Sequence, residues 1–397
     1  EFKTISSFSS WGVPSDLKLK PEITAPGGNI YSVNGVDPSG TGYELMSGTS
    51  MAAPQVAGMS ALMLQYLQEN GIQAQGMTDR ALAQSLLMAT AEPLVNGNNG
   101  SYYAVMQQGS GLGNVSDAMA SPVYLTVEGQ TDGKVKAELG DDADRTGVYS
   151  FGFDLHNLSD ESVSYRLSGD VFTQDVFESE EGIRYLDTLT RPMDAQVEFR
   201  VNGQVLETAD LTAYDFNNDG ITDKADAQLL LNAVTTGEEL DGDLSGDGLV
   251  NTYDVHLLLK QCTVAVEVGG GESVTVEVTI RLSDGEKARL NDENPAGGYV
   301  QAFVFAEAVA NSEGVVLPTL SIPVLAYYGG WHEPSMFDET CYTTYFTGEE
   351  EREPYWATSY VNGVGVTYGD NANVTYYFGG NPIKADSRYM PERNAIN

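Results

Sequence analysis

The chain has 397 residues, of which 57 are acidic and 20 are basic, so its formal net charge is −37. Hydrophobic residues make up 41% and aromatic residues 10% of the sequence, which is the composition of folded protein and excludes an intrinsically disordered chain. So negative a protein is repelled by nucleic-acid phosphates and anionic membranes, and no apolar run is long enough to cross a bilayer. The length is sufficient for about two to four domains.

Residues 1–122 carry the periodicity of helices. Apolar residues follow one another closely from Met51 to Leu67, and this segment is predicted to be a helix too apolar on all sides to lie on a surface. A second helix is expected from Thr78, a suitable N-cap, to about Ala91.

From Val123 the pattern changes to short alternating strands separated by Gly and Asp turns. Two clear examples begin at Val148 and Val274 and alternate with a period of two. Such runs predict a β-sandwich. The strand pattern stops near residue 207 and resumes near residue 264.

The sequence beyond Trp331 is rich in Tyr and Gly and lacks clear periodicity. Residues 332–397 are expected to be a linker or the start of a further β domain, and both termini look like cut ends. The two cysteines, Cys262 and Cys341, are too few for a disulfide framework. Two separate thiols are favoured over one bridge, but the sequence leaves their pairing open.

The segment that interrupts the strands, residues 208–263, contains the same loop twice, 28 residues apart. Oxygen-bearing side chains occupy loop positions 1, 3, 5, 9 and 12, Gly occupies position 6, and position 7 would contribute its backbone carbonyl. This spacing suits a hard cation such as calcium, which takes about six to eight oxygen ligands. The predicted ligands are Asp215, Asn217, Asp219, Ile221, Asp223 and Asp226 in the first loop and Asp243, Ser245, Asp247, Leu249, Asn251 and Asp254 in the second.

The alternative is two ordinary Asp, Asn and Gly turns that only look like metal loops, and their duplication in register argues against it. The first loop offers four carboxylates and the second offers three, so the first is expected to bind calcium more tightly. The segment is strongly acidic, and its self-repulsion predicts that ion binding and folding are coupled.

With Asp rather than Glu at loop position 12, residues 211–261 closely resemble a type I dockerin, the module that attaches enzymes to cohesins of a cellulosome-like scaffold. The resemblance implies two calcium ions and a cohesin partner. In that family, loop positions 10 and 11 help to choose the cohesin, and here they are Lys224, Ala225, Thr252 and Tyr253. The two halves differ at these positions, so one docking orientation is expected to be preferred.

Residues Ser47 to Gly58 read Ser-Gly-Thr-Ser-Met-Ala-Ala-Pro-Gln-Val-Ala-Gly. Ser50 lies where a loop enters a helix, and the free N–H groups and the dipole at a helix N-terminus stabilise negative charge, including an oxyanion that forms on a substrate carbonyl. Pro54 is expected to lie in the first turn, which has no use for its missing N–H. The alternative for this motif is an ordinary Ser N-cap on a buried helix, which is commoner than any nucleophile.

The whole string resembles the nucleophile motif of subtilisin-like serine proteases, and three flanking segments occur in that family's order. These segments are residues 8–12, 20–27 and 109–115. The resemblance implies that residues 1–122 are the C-terminal part of an α/β catalytic domain in which Ser50 is acylated by a polypeptide substrate.

The family's catalytic Asp and His and its oxyanion-hole Asn all precede the Ser, and none of their motifs occurs before Ser50. The three histidines, His156, His256 and His332, all follow Ser50, and each is interpreted as structural or solvated. Without a base the hydroxyl stays protonated and is a weak nucleophile. The chain alone is therefore predicted to be inactive.

Residues 123–328 resemble the fibronectin type III-like domain that follows the catalytic domain in lactocepin-like cell-envelope proteinases. The resemblance rests on the strand rhythm and on residues 298–304 and 320–331. It implies a sandwich in two halves, residues 123–207 and 264–331, with the dockerin-like unit inserted between them. The predicted fold is thus multidomain, with a partial α/β subtilisin-like domain, a β-sandwich and a small all-α calcium-loop dockerin.

Three functions remain open. The first is a fragment of a secreted or cell-surface bacterial serine endopeptidase, held on a scaffold by its dockerin. The second is a non-enzymatic module that binds a cohesin or attaches to the cell surface. The third is a structural spacer that calcium only stiffens.

Overall fold

The computed structural model describes most of the chain up to residue 331 and two strands near the C-terminus. The described residues are 3–13, 17–178, 184–206, 212–217, 222, 224–238, 240–261, 264–295, 297–309, 317–331, 363–368 and 372–377. Both cysteines, His332 and most of the predicted domain 332–397 lie outside them. Among the described helices, none combines the length and the apolar character of a membrane span.

The described part of residues 1–122 contains a hairpin and four helices. In chain order these are β1 (Ile30–Val33), β2 (Tyr43–Met46), α1 (Thr49–Asn70), α2 (Asp79–Ala89), α3 (Val105–Gln108) and α4 (Val115–Ala120). The strands β1 and β2 are antiparallel and lead directly into α1, with Ile30 opposite Met46.

Both predicted helices are confirmed. α1 spans 22 residues and ends at Gly71, whose φ of 64° is the left-handed conformation that closes a helix. Thr78 is the N-cap of α2, and its hydroxyl accepts the Ala81 N–H at 3.2 Å. The prediction for Pro54 is wrong, because Pro54 is the sixth residue of α1 and lies past the first turn. Its missing N–H leaves the Ser50 carbonyl without its usual donor inside the helix.

The remaining elements are mostly strands. In chain order they are β3 (Val123–Val127), β4 (Ala137–Asp142), β5 (Val148–Asn157), β6 (Val163–Glu178), β7 (Arg184–Pro192), β8 (Ala195–Val201), β9 (Gln204–Val205), α5 (Lys224–Thr236), α6 (Thr252–Gln261), β10 (Val264–Val268), β11 (Ser273–Leu282), α7 (Asp284–Glu293), β12 (Gly298–Ala308), β13 (Leu320–Tyr328), β14 (Gly363–Tyr368) and β15 (Ala372–Tyr377). A short 3₁₀ turn at Thr212–Tyr214 precedes α5.

Two of the sheets are large. One has the strand order β10-β6-β12-β13-β4, with β7 paired to β6, and the other has the order β3-β5-β11-β8-β9. The pair β13 and β4 is parallel. The predicted alternating strands are β5 and β11, which are antiparallel neighbours with Phe151 opposite Val278.

The two large sheets pack face to face around one core. Tyr165 and Val324 of the six-stranded sheet share this core with Phe153 and Val276 of the five-stranded sheet. Each of these four side chains is no more than 2% exposed. Burial of large apolar side chains from both sheets is therefore the main stabilising contact of this region.

The strand β12 is buried on both faces and separates two cores. Val300 and Val304 lie in the core between the sheets. Tyr299 and Phe303, on the opposite face of the strand, pack in a second cluster with Leu19 of the N-terminal segment. The N-terminal segment thus covers the outer face of the six-stranded sheet. Because β12 is buried on both faces, its sequence is apolar almost without interruption.

A buried ion pair lies at the same contact. Lys136 is 2% exposed, and its Nζ lies 2.6 Å from Glu138 Oε1. The Lys136 ammonium also donates to the Leu19 carbonyl at 2.8 Å, and the Leu19 N–H donates to Glu138 Oε1 at 2.6 Å. Both polar groups of the Leu19 backbone are therefore satisfied by side chains beside β4.

The helical segment between β9 and β10 has a small core of its own. α5 and α6 pack through Ala227, Leu230, Val255 and Leu258, each at most 5% exposed. This pairing joins the two helices that begin at the ends of the two predicted metal loops.

Candidate functional site

Ser50 is the second residue of α1 and is exposed. This position places its hydroxyl beside the unpaired N–H groups of the first turn and the positive end of the helix dipole. Within the described part of the chain, no side chain forms a hydrogen bond with Ser50 Oγ. The site therefore offers an accessible hydroxyl at a helix terminus.

The loop that leads into α1 rests on a turn containing Gly27 and Asn29. The Gly48 N–H donates to the Gly27 carbonyl at 2.8 Å, and the Asn29 N–H donates to Ser47 Oγ at 2.8 Å. Asn29 has a φ of 53°, in the left-handed region that Asn tolerates better than most residues. A Cβ at position 27 would lie 2.8 Å from the Gly48 carbonyl oxygen, so this close approach requires glycine.

The two halves of α1 differ in burial. Met63 and Leu67 in the second half are at most 1% exposed, although Leu62 beside them is 49% exposed. No residue of the first half is buried. In the adjoining hairpin, Tyr31 and Tyr43 stack with ring centroids 5.4 Å apart and are 68% and 58% exposed. The helix was predicted to be too apolar for a surface, and the structure instead leaves much of it exposed, because the described residues cover mainly its second half.

His156 is held within the sheets. Its Nδ1 lies 2.6 Å from Ser273 Oγ, its Nε2 lies 2.8 Å from Thr126 Oγ1, and its ring stacks on Tyr124 at 4.6 Å. Burial lowers the pKa of His156, and the neighbouring Asp154 carboxylate opposes this shift. These contacts fit the structural interpretation of this residue.

The other described histidine, His256, is exposed on α6. Neither His156 nor His256 forms a hydrogen bond with Ser50. The arrangement around Ser50 in the described residues thus provides an exposed hydroxyl at a helix terminus, and the predicted inactivity of the chain stays a prediction.

The second predicted metal loop lies wholly within the described residues. Asp254 is 0% exposed, and its two carboxylate oxygens accept the Ser245 N–H and the Asn251 N–H, both at 2.9 Å. Asp243 accepts the Gly248 N–H at 2.7 Å. Burial raises the pKa of Asp254, but the hydrogen bonds from Asn251 and Ser245 outweigh it and hold the pKa below its usual value. The carboxylate is therefore kept ionised.

The first loop repeats this geometry where it is described. Asp226 is 0% exposed, and its Oδ1 accepts the Phe216 N–H at 2.7 Å and the Asn217 N–H at 3.2 Å. Asn217 and Ser245 both occupy loop position 3, and Asp226 and Asp254 both occupy position 12. The same bond from position 3 to position 12 therefore occurs in both halves.

Other predicted ligands are less buried or fall outside the description. Asp215 is half-buried, and Asp247 and Leu249 are exposed. Three predicted ligands lie outside the described residues: Asp219, Ile221 and Asp223. In the described ranges, no group of three or more His, Cys, Asp or Glu side chains is placed to hold a metal ion. Both calcium sites stay predictions.

The predicted partner-binding residues lie at the starts of α5 and α6. Ala225, Thr252 and Tyr253 are exposed, Tyr253 at 56%. Lys224 is the first residue of α5, and its side chain lies outside the description. The cohesin partner is a prediction that these positions leave untested.

The contact between Ser47 and Asn29 was missed by reasoning from the sequence. A signal was present, because Gly27-Gly28-Asn29 contains the residue types that tolerate close approach and left-handed backbone. The sequence did not indicate which distant segment would meet this turn.

Residues 2–117 match the subtilase family, peptidase S8. Over 159 residues the chain is 35% identical to the C5a peptidase of Streptococcus pyogenes serotype M18 (strain MGAS8232), which covers 39% of this chain and 13% of that protein. Over 190 residues it is 32% identical to the PII-type proteinase of Lactococcus lactis subsp. cremoris, which covers 44% of this chain and 9% of that protein. The chain therefore spans a small part of the curated relatives that it matches.

Among solved structures, the PapD-like domain 7 of human CEP192 aligns with 53% of this chain and 87% of that domain, at 10% identity and a TM-score of 0.24. That similarity is too low to support an argument. The sequence matches identify residues 2–117 as a segment of subtilase type and show homology to bacterial proteinases. The dockerin and fibronectin type III-like resemblances stay predictions.

Proposed function

We propose that residues 1–122 supply the nucleophile of a subtilisin-like serine endopeptidase and that Ser50 is the residue acylated. The observation that carries this proposal is the exposed position of Ser50 at the start of a 22-residue helix, within a segment of subtilase type. One relative is named a peptidase and another a proteinase, and these names support polypeptides as the substrate class. Their bacterial origin supports a bacterial protein, and the resemblance to cell-envelope proteinases favours one that is secreted or attached to the cell surface.

In the proposed reaction, Ser50 Oγ attacks the carbonyl carbon of a peptide bond. The C–N bond breaks as the tetrahedral intermediate collapses to an ester on Ser50, and water then hydrolyses the ester. The N–H groups and the dipole of the first turn of α1 would stabilise the negative oxygen of the intermediate.

The proton of Ser50 Oγ must pass to a base and from there to the departing amine. Because no histidine precedes Ser50 in this sequence, the proposal places the catalytic Asp, the His and the oxyanion-hole Asn in sequence upstream of Glu1. It follows that the chain alone is inactive.

A serine-directed fluorophosphonate probe tests this assignment. The chain alone should not be labelled at Ser50, whereas a longer polypeptide that includes the preceding coding sequence should be. Ser50→Ala should abolish the label, and Ser60→Ala is the matched control because Ser60 lies on the same helix with its hydroxyl bonded to the Val56 carbonyl. Labelling of the chain alone would contradict its inactivity, and an unlabelled longer polypeptide would contradict the role of Ser50.

The repeated loop geometry favours a second function for residues 208–263. We propose that this unit binds two calcium ions and docks to a cohesin domain. Support comes from the position-12 carboxylates, Asp226 and Asp254, which are both buried and both accept the position-3 N–H. The donor set consists of oxygen atoms, which suits calcium. A bound ion would supply positive charge to a strongly acidic unit.

Calorimetric titration with calcium tests this second function. Two binding steps are expected, the tighter at the first loop, and Asp226→Asn and Asp254→Asn should each weaken one step. Asp241→Asn is the control, because Asp241 is an exposed acidic residue between the loops. Capture by cohesin domains should require calcium and be lost with chelator. A calcium titration that releases or absorbs no heat of binding would contradict the proposal. So would capture by a cohesin that persists in the presence of chelator.

A further inference from the structure

The loop before α1 makes contacts that the chemistry of Ser50 does not itself use. We propose that Gly27, Asn29 and Ser47 form a positioning clamp that holds Ser50 in place for attack. The inference rests on the proposed function of Ser50, and it concerns placement of the nucleophile rather than direct contact with substrate.

The clamp is close to Ser50 along the chain. Within it, Asn29 bonds to Ser47, and Gly27 bonds to the neighbouring Gly48, each at 2.8 Å. The Gly48 carbonyl then accepts the Met51 N–H at 3.0 Å, which closes the first turn around Thr49 and Ser50. Any displacement of residues 47 and 48 is therefore passed directly to Ser50.

The far anchor of α1 is distant. Met63, the first buried residue of the helix, follows Ser50 by thirteen residues, which is about 20 Å along the axis. At that distance a tilt of a few degrees would move Ser50 by about 1 Å, a displacement that can cost on the order of 100-fold in rate. Met59, nine residues from Ser50, packs against the cluster of Met63, and the hydrogen bonds of the clamp restrain the end of the helix that lies beyond it.

The chemistry of each clamp residue explains why it suits its position. Asn29 adopts its left-handed backbone at a modest cost, and this conformation points its N–H at Ser47 Oγ. The Ser47 hydroxyl lies 3.5 Å from Asn29 Oδ1, the direction in which its own proton can point. Gly27 lets the Gly48 carbonyl approach to where a Cβ would be only 2.8 Å away.

Four variants in the longer polypeptide separate positioning from folding. Gly27→Ala pushes against the Gly48 carbonyl, whereas Gly28→Ala is its matched control because a Cβ there would meet only Ser6 Oγ, at 3.4 Å. Ser47→Ala removes the acceptor for the Asn29 N–H, and Ser47→Thr keeps the hydroxyl. The readouts are kcat and KM on a peptide substrate, with thermal unfolding measured in parallel.

Gly27→Ala is expected to lower kcat about 100-fold and Ser47→Ala about tenfold, with KM within about twofold of the parent. Ser47→Thr should recover most of the loss, and Gly28→Ala should stay within about twofold of the parent. Unchanged kcat in Gly27→Ala and Ser47→Ala would overturn the clamp. So would a loss that merely follows the unfolded fraction.

Hydrogen exchange resolved at single amides tests the clamp in the present chain without activity. In Ser47→Ala, the Asn29 and Gly48 amides should exchange faster than in the parent, while the Met63 amide is unchanged. Equal rates at Asn29 and Gly48 would overturn the clamp. If the longer polypeptide is not labelled at Ser50, the proposed function fails, and the exchange rates still decide whether the clamp exists.

Discussion

The N-terminal segment, residues 1–122, has two apolar faces that differ in how far they are exposed. On one face Leu19 is 0% exposed and packs with Phe303 of β12. On the other, Leu62 of α1 and Tyr31 of the hairpin are 49% and 68% exposed. Composition does not distinguish these faces, because both are rich in large apolar residues. Burial stabilises the segment against the sheet and in its own cluster around Met63 and Leu82, whereas hydrogen bonds hold the loop next to Ser50.

The largest contrast should come from truncating one side chain on each face. Phe303→Ala removes a ring that is 0% exposed in the cluster joining the two regions, and it should lower the free energy of unfolding by about 3–5 kcal/mol. Leu62→Ala should change it by less than about 0.5 kcal/mol. Urea unfolding of both variants measures the contrast, and equal losses would show that the two faces are equally buried.

The buried ion pair sharpens the comparison on the covered face. Lys136→Met leaves Glu138 without its cation and should cost about 3 kcal/mol at pH 7, whereas Lys134→Met, whose side chain is 33% exposed, should cost less than about 0.5 kcal/mol.

The same pair predicts a dependence of stability on pH. Burial raises the pKa of Glu138, but the hydrogen bond from Lys136 and those from Gln130 and Leu19 bring it below the ordinary value of 4.5. Because the folded state holds this carboxylate at a lower pKa than the unfolded chain, the stabilisation is present above about pH 4.5 and is lost as the pH falls through the folded-state value. Unfolding at pH 7 and at lower pH should show this loss in the parent and a smaller one in Lys136→Met. Parallel pH profiles would contradict the role of the pair.

A smaller effect is expected where α2 is tied to β3. Ser85 is 0% exposed, and its hydroxyl donates to the Leu125 carbonyl at 2.7 Å and accepts the Leu125 N–H at 3.2 Å. Ser85→Ala leaves both backbone groups unsatisfied and should cost about 1–3 kcal/mol. Ser60→Ala is again the control, with its hydroxyl bonded only within α1. Thermal unfolding that did not separate the two variants would refute this prediction.

The smallest effect concerns His156. Its pKa is lowered by burial, so the unfolded chain binds a proton more readily than the folded one. Stability from the neutral ring is therefore fully present above about pH 6.5 and declines as the pH falls below that value. His156→Gln should remove this part of the slope of stability against pH, which denaturant unfolding between pH 5 and 8 would detect. An identical slope in the variant would contradict the assignment.

Local signals in the sequence predicted much of the secondary structure. The apolar run of α1, the Thr78 cap and the alternation of β5 and β11 all arise from interactions between residues near in sequence, and all three are confirmed. Pro54 was placed too early because the motif does not mark where the helix begins. The exposure of α1 was not predicted, since burial depends on which other segments cover the helix.

Within the candidate site, the sequence predicted the position of Ser50 at a helix start but not the contacts that hold it there. Ser47 and Asn29 are 18 residues apart, and their bond uses a backbone N–H that every residue but proline possesses. The Lys136 contact with Leu19 spans 117 residues and depends on the topology of the whole domain. Neither has a pattern that local spacing could show.

The helical segment leaves the fold at β9, the edge of the five-stranded sheet, and returns at β10, the edge of the six-stranded sheet. Because β9 and β10 are both edge strands, the described interior strand pairs do not involve the segment that connects them. A different inserted unit, or a short linker, could therefore connect β9 to β10 with the central strand pairs of both sheets intact. The helical unit between β9 and β10 could thus be replaced by another unit while the rest of the fold is kept.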